Sequence, residues 1–289
     1  MIFLDSKWAD LNWTPFVKFD AEIKEFRQHS TSPGVYRVRV SGRNELAYIG
    51  QTGRDLRARL QALKSNTFAR EMPFNDPHTA ACRLWSFRDA DGCEFECSSA
   101  AIELPKAKRL ALECFLLWQY RLQQGESTLC NFGRLHPEYQ SSANRSTGKR
   151  GFRLPSGTIN TNVGKSIEPL RYQGCPNDSD WMGLNWSCLR PLVISETASL
   201  PQGTGVYKLI GDENEVLYIG ESSNLRSRLR THCDNPDHRD AVFAYCALDH
   251  AALGCQRLEV ENDLIAAYFS ETKQPPRLQF GSTAAVSRH

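Results

Sequence analysis

Two short runs of alternating apolar and polar residues recur in this chain, each followed by turn-forming residues. V-Y-R-V-R-V at 35–40 and V-Y-K-L-I at 206–210 alternate at least in part, as half-buried strands do. Ser41-Gly42-Arg43-Asn44 follows one and Gly211-Asp212-Glu213-Asn214 the other, before the chain returns through Tyr48-Ile49-Gly50 or Tyr218-Ile219-Gly220. The pattern predicts two β-hairpins. Asp55 and Asn224 stand where helix N-caps belong, so Arg59 and Arg228 are expected on the helices that follow. From Pro105 to Gln124 a helix-starting proline precedes apolar residues at 110, 114, 117 and 118, a helical period with Glu113 on its apolar side. Glu261 is placed in the same way, between Leu258 and Ile265. A carboxylate facing a core is costly unless a metal or an arginine pairs with it.

The hairpins belong to a longer internal similarity. W-A-D-L-N-W-T at 8–14 is echoed by W-M-G-L-N-W-S at 181–187, Gly34-Val35-Tyr36 by Gly205-Val206-Tyr207, and Tyr48-Ile49-Gly50 by Tyr218-Ile219-Gly220. D-L-R-A-R-L at 55–60 then faces N-L-R-S-R-L at 224–229, and L-A-L-E-C-F-L-L at 110–117 faces L-E-V-E-N-D-L-I at 258–265. Asn131-Phe132-Gly133 and Gln279-Phe280-Gly281 end the two copies. Matched landmarks in one order are read as a duplication. The expected division is a first module at 1–133, a basic flexible linker at 134–180 and a second module at 181–289. The linker carries Arg145, Lys149, Arg150 and Arg153; it is read either as a plain tether or as a strap that touches phosphates.

Composition narrows the picture. A length of 289 residues fits two compact units of roughly 100 to 150 residues. The apolar and charged fractions, 40% and 24%, suit a globular protein, and no stretch approaches the roughly 20 apolar residues of a bilayer span. The N-terminus lacks a basic segment followed by an apolar one, so a cytoplasmic location is the default expectation. Ten scattered cysteines without a C-x-x-C pair read as small buried residues rather than a zinc site. Net charge is +2 for residues 1–133, +3 for 134–180 and −3 for 181–289, so any contact with nucleic acid must be local.

The paired triplets, the L-x-x-R that follows them and the downstream helical glutamate resemble the GIY-YIG nuclease superfamily, and the resemblance covers most of both copies. It implies an α+β fold of two tandem modules, each a small antiparallel three-stranded sheet flanked by helices. It further implies a metal-dependent endonuclease that hydrolyses phosphodiester bonds in DNA, duplex above all. Carried over residue by residue, the site is Tyr36, Tyr48, Arg59, Glu113 and Asn131 in the first copy, and Tyr207, Tyr218, Arg228, His232 and Glu261 in the second. A tyrosine hydroxyl would help deprotonate the attacking water, Arg would grip a phosphate oxygen, and Glu113 and Glu261 would hold Mg²⁺ or Mn²⁺. No membrane and no obligate protein partner are implied.

Other readings stand beside these. Tyrosine triplets alone serve hairpin packing, Arg59 and Arg228 suit a solvated helix face, Glu113 and Glu261 suit an internal salt bridge, Asn131 a turn, and His232 the surface. Copy two departs from the family at Gln279, and Glu221 adds charge near the expected phosphate, so copy one ranks first for catalysis; copy one in turn has Leu63 where copy two has His232. Two sites in one chain suit cutting both strands, in a restriction, defence or repair setting. The alternatives are one active module beside a binding module, or the fold repurposed for a small substrate or a scaffold. Copy one also holds extra sequence before Glu113, with R-L-W-S-F-R at 83–88, expected to extend the sheet or to reach DNA bases.

Overall fold

The computed structural model describes residues 2–281, so Met1 and residues 282–289 of the two expected modules lie outside the described residues. The chain is α+β, with two four-stranded antiparallel sheets packed with helices. It divides into one unit of residues 1–109 and 127–165 and another of residues 110–126 and 166–289.

In the first unit the hairpin forms as the alternation requires. β1 (Val17–Lys18), β2 (Gly34–Val40) and β3 (Leu46–Thr52) precede helix α1 (Leu56–Thr67). Helix α2 (Thr79–Asp91) and β4 (Phe95–Ala101) follow, and the sheet order is β1-β4-β2-β3. The sheet therefore exceeds the expected three strands: the pair Val17–Lys18 adds itself to the outer edge of β4, too short to leave a period in the sequence. Asp55 caps α1 by accepting from the Ala58 N–H at 2.8 Å. Leu56, Leu60 and Leu63 of that helix are fully buried against Val38, Phe19 and Phe26.

The extra sequence of the first copy is not a sheet extension. R-L-W-S-F-R lies within α2, whose Ala80, Ala81, Leu84 and Trp85 are buried. D-A-D-G ends that helix, with Gly92 at φ 67° donating its N–H to the Arg88 carbonyl.

Helix α3 (Lys106–Gln124) comes next, and its residues from Leu110 onward are grouped with the second unit. Residues of the expected linker carry a short pair, β5 (Tyr139–Gln140) with β6 (Phe152–Arg153), in the first unit. The second unit then runs through β7 (Arg190–Pro191), α4 (Ile194–Ala198), β8 (Gly205–Ile210), β9 (Val216–Ser222), α5 (Leu225–Cys233), β10 (Val242–Ala247) and α6 (Gly254–Thr272). Its sheet order, β7-β10-β8-β9, repeats that of the first, again with a two-residue strand at the edge. On α3, the guanidinium of Arg121 is wholly buried and pairs with Asp263 at 3.0 Å and Glu259 at 3.2 Å on α6.

The tryptophan motifs explain how each tyrosine strand is held. Arg37, next to Tyr36, is buried over the Trp13 ring at 4.3 Å and donates to the carbonyls of Phe3 at 2.6 Å and Asp5 at 3.0 Å. Lys208, next to Tyr207, is buried over the Trp186 ring at 4.5 Å and donates to the Pro176 carbonyl at 2.5 Å. In both units the second tryptophan donates its indole N–H to the carbonyl of the first, at 2.9 Å and 3.0 Å. Each cage takes a cation from the strand position whose side chain points away from the tyrosine. Burial lowers both groups, Arg37 to about 9 and Lys208 to about 8.

Candidate active site

In the second unit the hairpin register sets Tyr207 opposite Gly220. A Cβ there would collide with the Tyr207 phenol, so the glycine that ends Tyr-Ile-Gly makes room for the ring; Gly50 does the same for Tyr36, where a Cβ would sit 2.7 Å from the hydroxyl. Tyr207 is fully buried and stacks on Tyr218, with centroids 6.1 Å apart. Asn224 caps α5 and thereby fixes the phase of that helix, which brings Arg228 Nε to 3.0 Å from the Tyr207 hydroxyl. Tyr218 stacks on Tyr207 and lies within electrostatic reach of Arg228.

His232 completes the cluster from one turn further along α5. It is buried rather than on the surface, because the stripe that carries Leu225 and Leu229 continues through it. Its Nε2 lies 2.8 Å from the Tyr207 hydroxyl and its Nδ1 lies 3.1 Å from His238 Nδ1. One set of tautomers satisfies every bond. In it Arg228 donates to the phenol oxygen, the phenol proton faces His232 Nε2 and the Nδ1–H of His232 faces a bare nitrogen of His238; the set with both rings in the other tautomer satisfies the same bonds. Burial, then the charges of His238 and Arg228, lower His232 to about 4, and burial lowers His238 as well, so both rings are neutral acceptors at neutral pH. Burial raises Tyr207 and Tyr218 above the ordinary phenol range. His238 borders a surface cavity of about 330 Å³ beside Asn235, Pro236 and Arg239.

Glu261 sits on α6, half-buried. Burial, then the charge of Glu221, push its carboxyl up to about 7, with Arg228 opposing. A carboxyl short of positive charge fits a divalent cation. The donor set is one carboxylate, and among the described residues no three His, Cys, Asp or Glu side chains converge.

In the first unit Tyr36 is fully buried beside Tyr48, with centroids 6.1 Å apart, and Arg59 Nε lies 3.3 Å from the Tyr36 hydroxyl. Arg59 also donates to the Pro77 carbonyl at 3.2 Å and its Nη1 contacts His78 Nδ1. Glu113 is half-buried on the part of α3 grouped with the second unit; the carbonyl of its neighbour Cys114 accepts from Asn262 Nδ2 at 3.2 Å.

Asn131 has a definite structural task. Its amide accepts from the Ile49 N–H at 3.0 Å and donates to the Ile49 carbonyl at 2.9 Å, which pins the middle of Tyr-Ile-Gly from outside the sheet. Gln279 makes the same two bonds to Ile219, each at 3.0 Å. The apparent loss of asparagine in copy two is thus no loss. Glu221 is likewise engaged, by Arg257 Nε at 2.7 Å, where the first unit has Gln51 with Arg109 Nε at 2.7 Å. The missing asparagine is therefore no ground for ranking copy one first.

His78 and His238 escaped the sequence reading. The clue lay in two tetrapeptides, Asn75-Asp76-Pro77-His78 and Asn235-Pro236-Asp237-His238, each following its arginine helix. The Pro transposition and the unequal loop lengths hid the correspondence.

The GIY-YIG catalytic domain family matches residues 203–270, from the start of β8 through most of α6. UvrABC system protein C of Salinibacter ruber is 41% identical over 49 residues, which is 17% of this chain and 8% of that protein. The protein of the same name from the Wolbachia of Drosophila simulans is 61% identical over 31 residues, 11% of this chain and 5% of that one. The one from Chlorobium phaeobacteroides is 42% identical over 45 residues, covering 16% and 7%. The chain thus spans less than a tenth of the length of these relatives. One GIY-YIG catalytic domain is present, which implies a phosphodiesterase or endonuclease of a family that typically uses a divalent metal.

Proposed function

We propose that this chain is a metal-dependent DNA endonuclease built from a duplicated GIY-YIG module, with cleavage centred on Tyr207 in the second copy. The observation that carries it is the continuous line Arg228, Tyr207, His232, His238, hydrogen-bonded at 3.0, 2.8 and 3.1 Å. A buried phenol is a poor base unless its own proton has somewhere to go. Here, as the Tyr207 oxygen takes a proton from the attacking water, its proton passes to His232 Nε2 and the His232 Nδ1 proton passes to His238. Arg228 stays cationic beside the phenol oxygen and offers its remaining N–H groups to a non-bridging phosphate oxygen. Tyr218 holds Arg228 and Tyr207 in place, and Gln279 fixes the strand that presents Tyr218. Glu261 is the residue that would hold Mg²⁺ or Mn²⁺, which when bound supplies charge stabilisation at the phosphate and the leaving oxygen.

Tyr36, Tyr48, Arg59 and Asn131 are the counterparts in the first unit, Glu113 is the glutamate that the sequence matches to Glu261, and two sets in one chain suit the two strands of a duplex in restriction, defence or repair. A second reading, in which the first copy binds and the second cuts, is favoured by the engagement of Arg59 with Pro77 and His78 and by Leu63 in the place of His232. Supercoiled plasmid, incubated with Mg²⁺ or with EDTA, tests the proposal. Metal-dependent cutting that Glu261→Gln abolishes supports it, whereas failure to cut DNA or RNA with any divalent ion sinks it. Linear product from the wild type and only nicked product from Glu113→Gln would favour two active sites.

A further inference from the structure

In the first unit, outside the tyrosine site, Arg70, Arg145 and Arg150 line one cavity of about 310 Å³ around Phe74, with Glu71 as the carboxylate at its wall. The Arg150 guanidinium lies 4.3 Å above the Phe74 ring and that of Arg145 lies 5.5 Å from it. Arg150 is committed to structure: it donates to the Met72 carbonyl at 2.8 Å and pairs with Glu71 at 3.3 Å. Among the described residues no carboxylate forms an ion pair with the guanidinium of Arg70 or Arg145; Asp76 meets the Arg145 backbone N–H. Three guanidiniums against one carboxylate leave a concave, net positive pocket with an aromatic floor, the combination that receives a phosphate and the base or sugar attached to it.

The position of this pocket is tied to the Tyr36–Arg59 pair by one four-residue segment. Arg145 donates its backbone N–H to the Asp76 carboxylate, and the Asn75 N–H donates to the Ala143 carbonyl at 3.1 Å. Two residues on, the Pro77 carbonyl and His78 hold Arg59. The basic stretch that the sequence reads as a tether or a strap is thus fastened where an arginine already faces a tyrosine hydroxyl. We infer that Arg70, Arg145, Arg150 and Phe74 form a subsite for the nucleic-acid backbone, receiving a phosphate other than the scissile one. This rests on the nuclease reading above, since the ligand is part of that substrate.

The test is binding of a fluorescently labelled DNA duplex, in EDTA so that nothing is cut, by the full chain and by Arg70→Gln/Arg145→Gln between 50 and 200 mM salt. Neutralising a phosphate contributes about 0.9 to the slope of log affinity against log salt, so loss of two contacts should flatten the slope by about 2 and weaken binding at 50 mM at least about ten-fold. The charge-preserving Arg70→Lys/Arg145→Lys should keep the wild-type slope. Unchanged affinity and slope in the glutamine variant would overturn the subsite while leaving the nuclease reading intact. Equal losses in the lysine variant would overturn it too, by showing a defect unrelated to charge. A wild-type chain that binds neither duplex nor single-stranded DNA would remove the nuclease reading and the subsite with it.

Discussion

The two tyrosine–arginine pairs are built on the same scaffold but are connected differently, and the connection is informative. Both sit on a β-hairpin whose central residue is clamped by a side-chain amide, Asn131 on Ile49 and Gln279 on Ile219. Both are backed by a caged cation on the neighbouring strand position. In the second unit, however, a histidine contacts the tyrosine, while in the first a histidine contacts the arginine. An acceptor on the phenol prepares it to give up a proton; one on the guanidinium draws on hydrogen-bonding capacity that a phosphate would need. The same cradle thus yields two chemically different sites, and the difference arises from Leu63 against His232 and from loop length, not from the sheet.

The largest effect expected from this contrast is on cleavage. Tyr207→Phe removes the proton acceptor and should lower the cleavage rate by about 10²–10⁴, the usual worth of a general base. Tyr36→Phe should leave most single-strand nicking in place. Single-turnover nicking of plasmid compares them, and a Tyr36→Phe loss that matches or exceeds that of Tyr207→Phe would reverse the assignment.

Next in size is acid stability. His232 falls from an ordinary 6.5 to about 4 when folded, so the unfolded chain binds the proton first as pH drops. Its stabilising contribution is present above pH 6.5 and is lost as pH falls toward 4, by about 3 kcal/mol at most. His232→Leu, which copies Leu63, should remove that part of the loss between pH 7 and pH 4.5 in urea unfolding. The first unit retains its own acid response through His29 and His78, both lowered to about 4 chiefly by burial. An unaltered acid response in the variant would mean that His232 is not a buried neutral ring.

The amide clamps supply a smaller test. Gln279→Ala leaves the Ile219 N–H and carbonyl unpaired beneath the surface and should cost about 1–3 kcal/mol by urea unfolding. Asn131→Ala should cost a similar amount, and a negligible cost at either position would refute the clamp.

The hairpins, the helices bearing Arg59, Arg228, Glu113 and Glu261, and the triplets themselves were legible because period and capping are local properties. The clamp was not. Asparagine and glutamine differ in length, and only the position of the backbone shows that both reach the same atoms. The Gln51–Arg109 and Glu221–Arg257 pairs were invisible for a similar reason, since each joins elements tens of residues apart, whereas His238, six residues from His232, was hidden by the unequal loops. Helix α2 is mistaken for a sheet extension when 83–88 is read apart from the buried residues Ala80–Cys82 that precede it in the same helix.

The smallest effect concerns the Glu221–Arg257 pair, which the first unit builds with a neutral partner, Gln51, at the same 2.7 Å. Glu221→Gln converts one version into the other. Because the pair is partly exposed, its direct cost should stay below about 1 kcal/mol. Its clearer consequence lies at Glu261, whose carboxyl stands at about 7 through burial and the Glu221 charge. A raised carboxyl makes the folded chain bind the proton first, so stability falls as pH rises from about 4.5 through about 7. Removing the Glu221 charge should lower the Glu261 pKa and reduce that fall. Metal-free urea unfolding at pH 5 and pH 8, with carboxyl NMR titration of Glu261, measures both. If neither moves, Glu221 does not act on Glu261, and the second site owes its high carboxyl to burial alone.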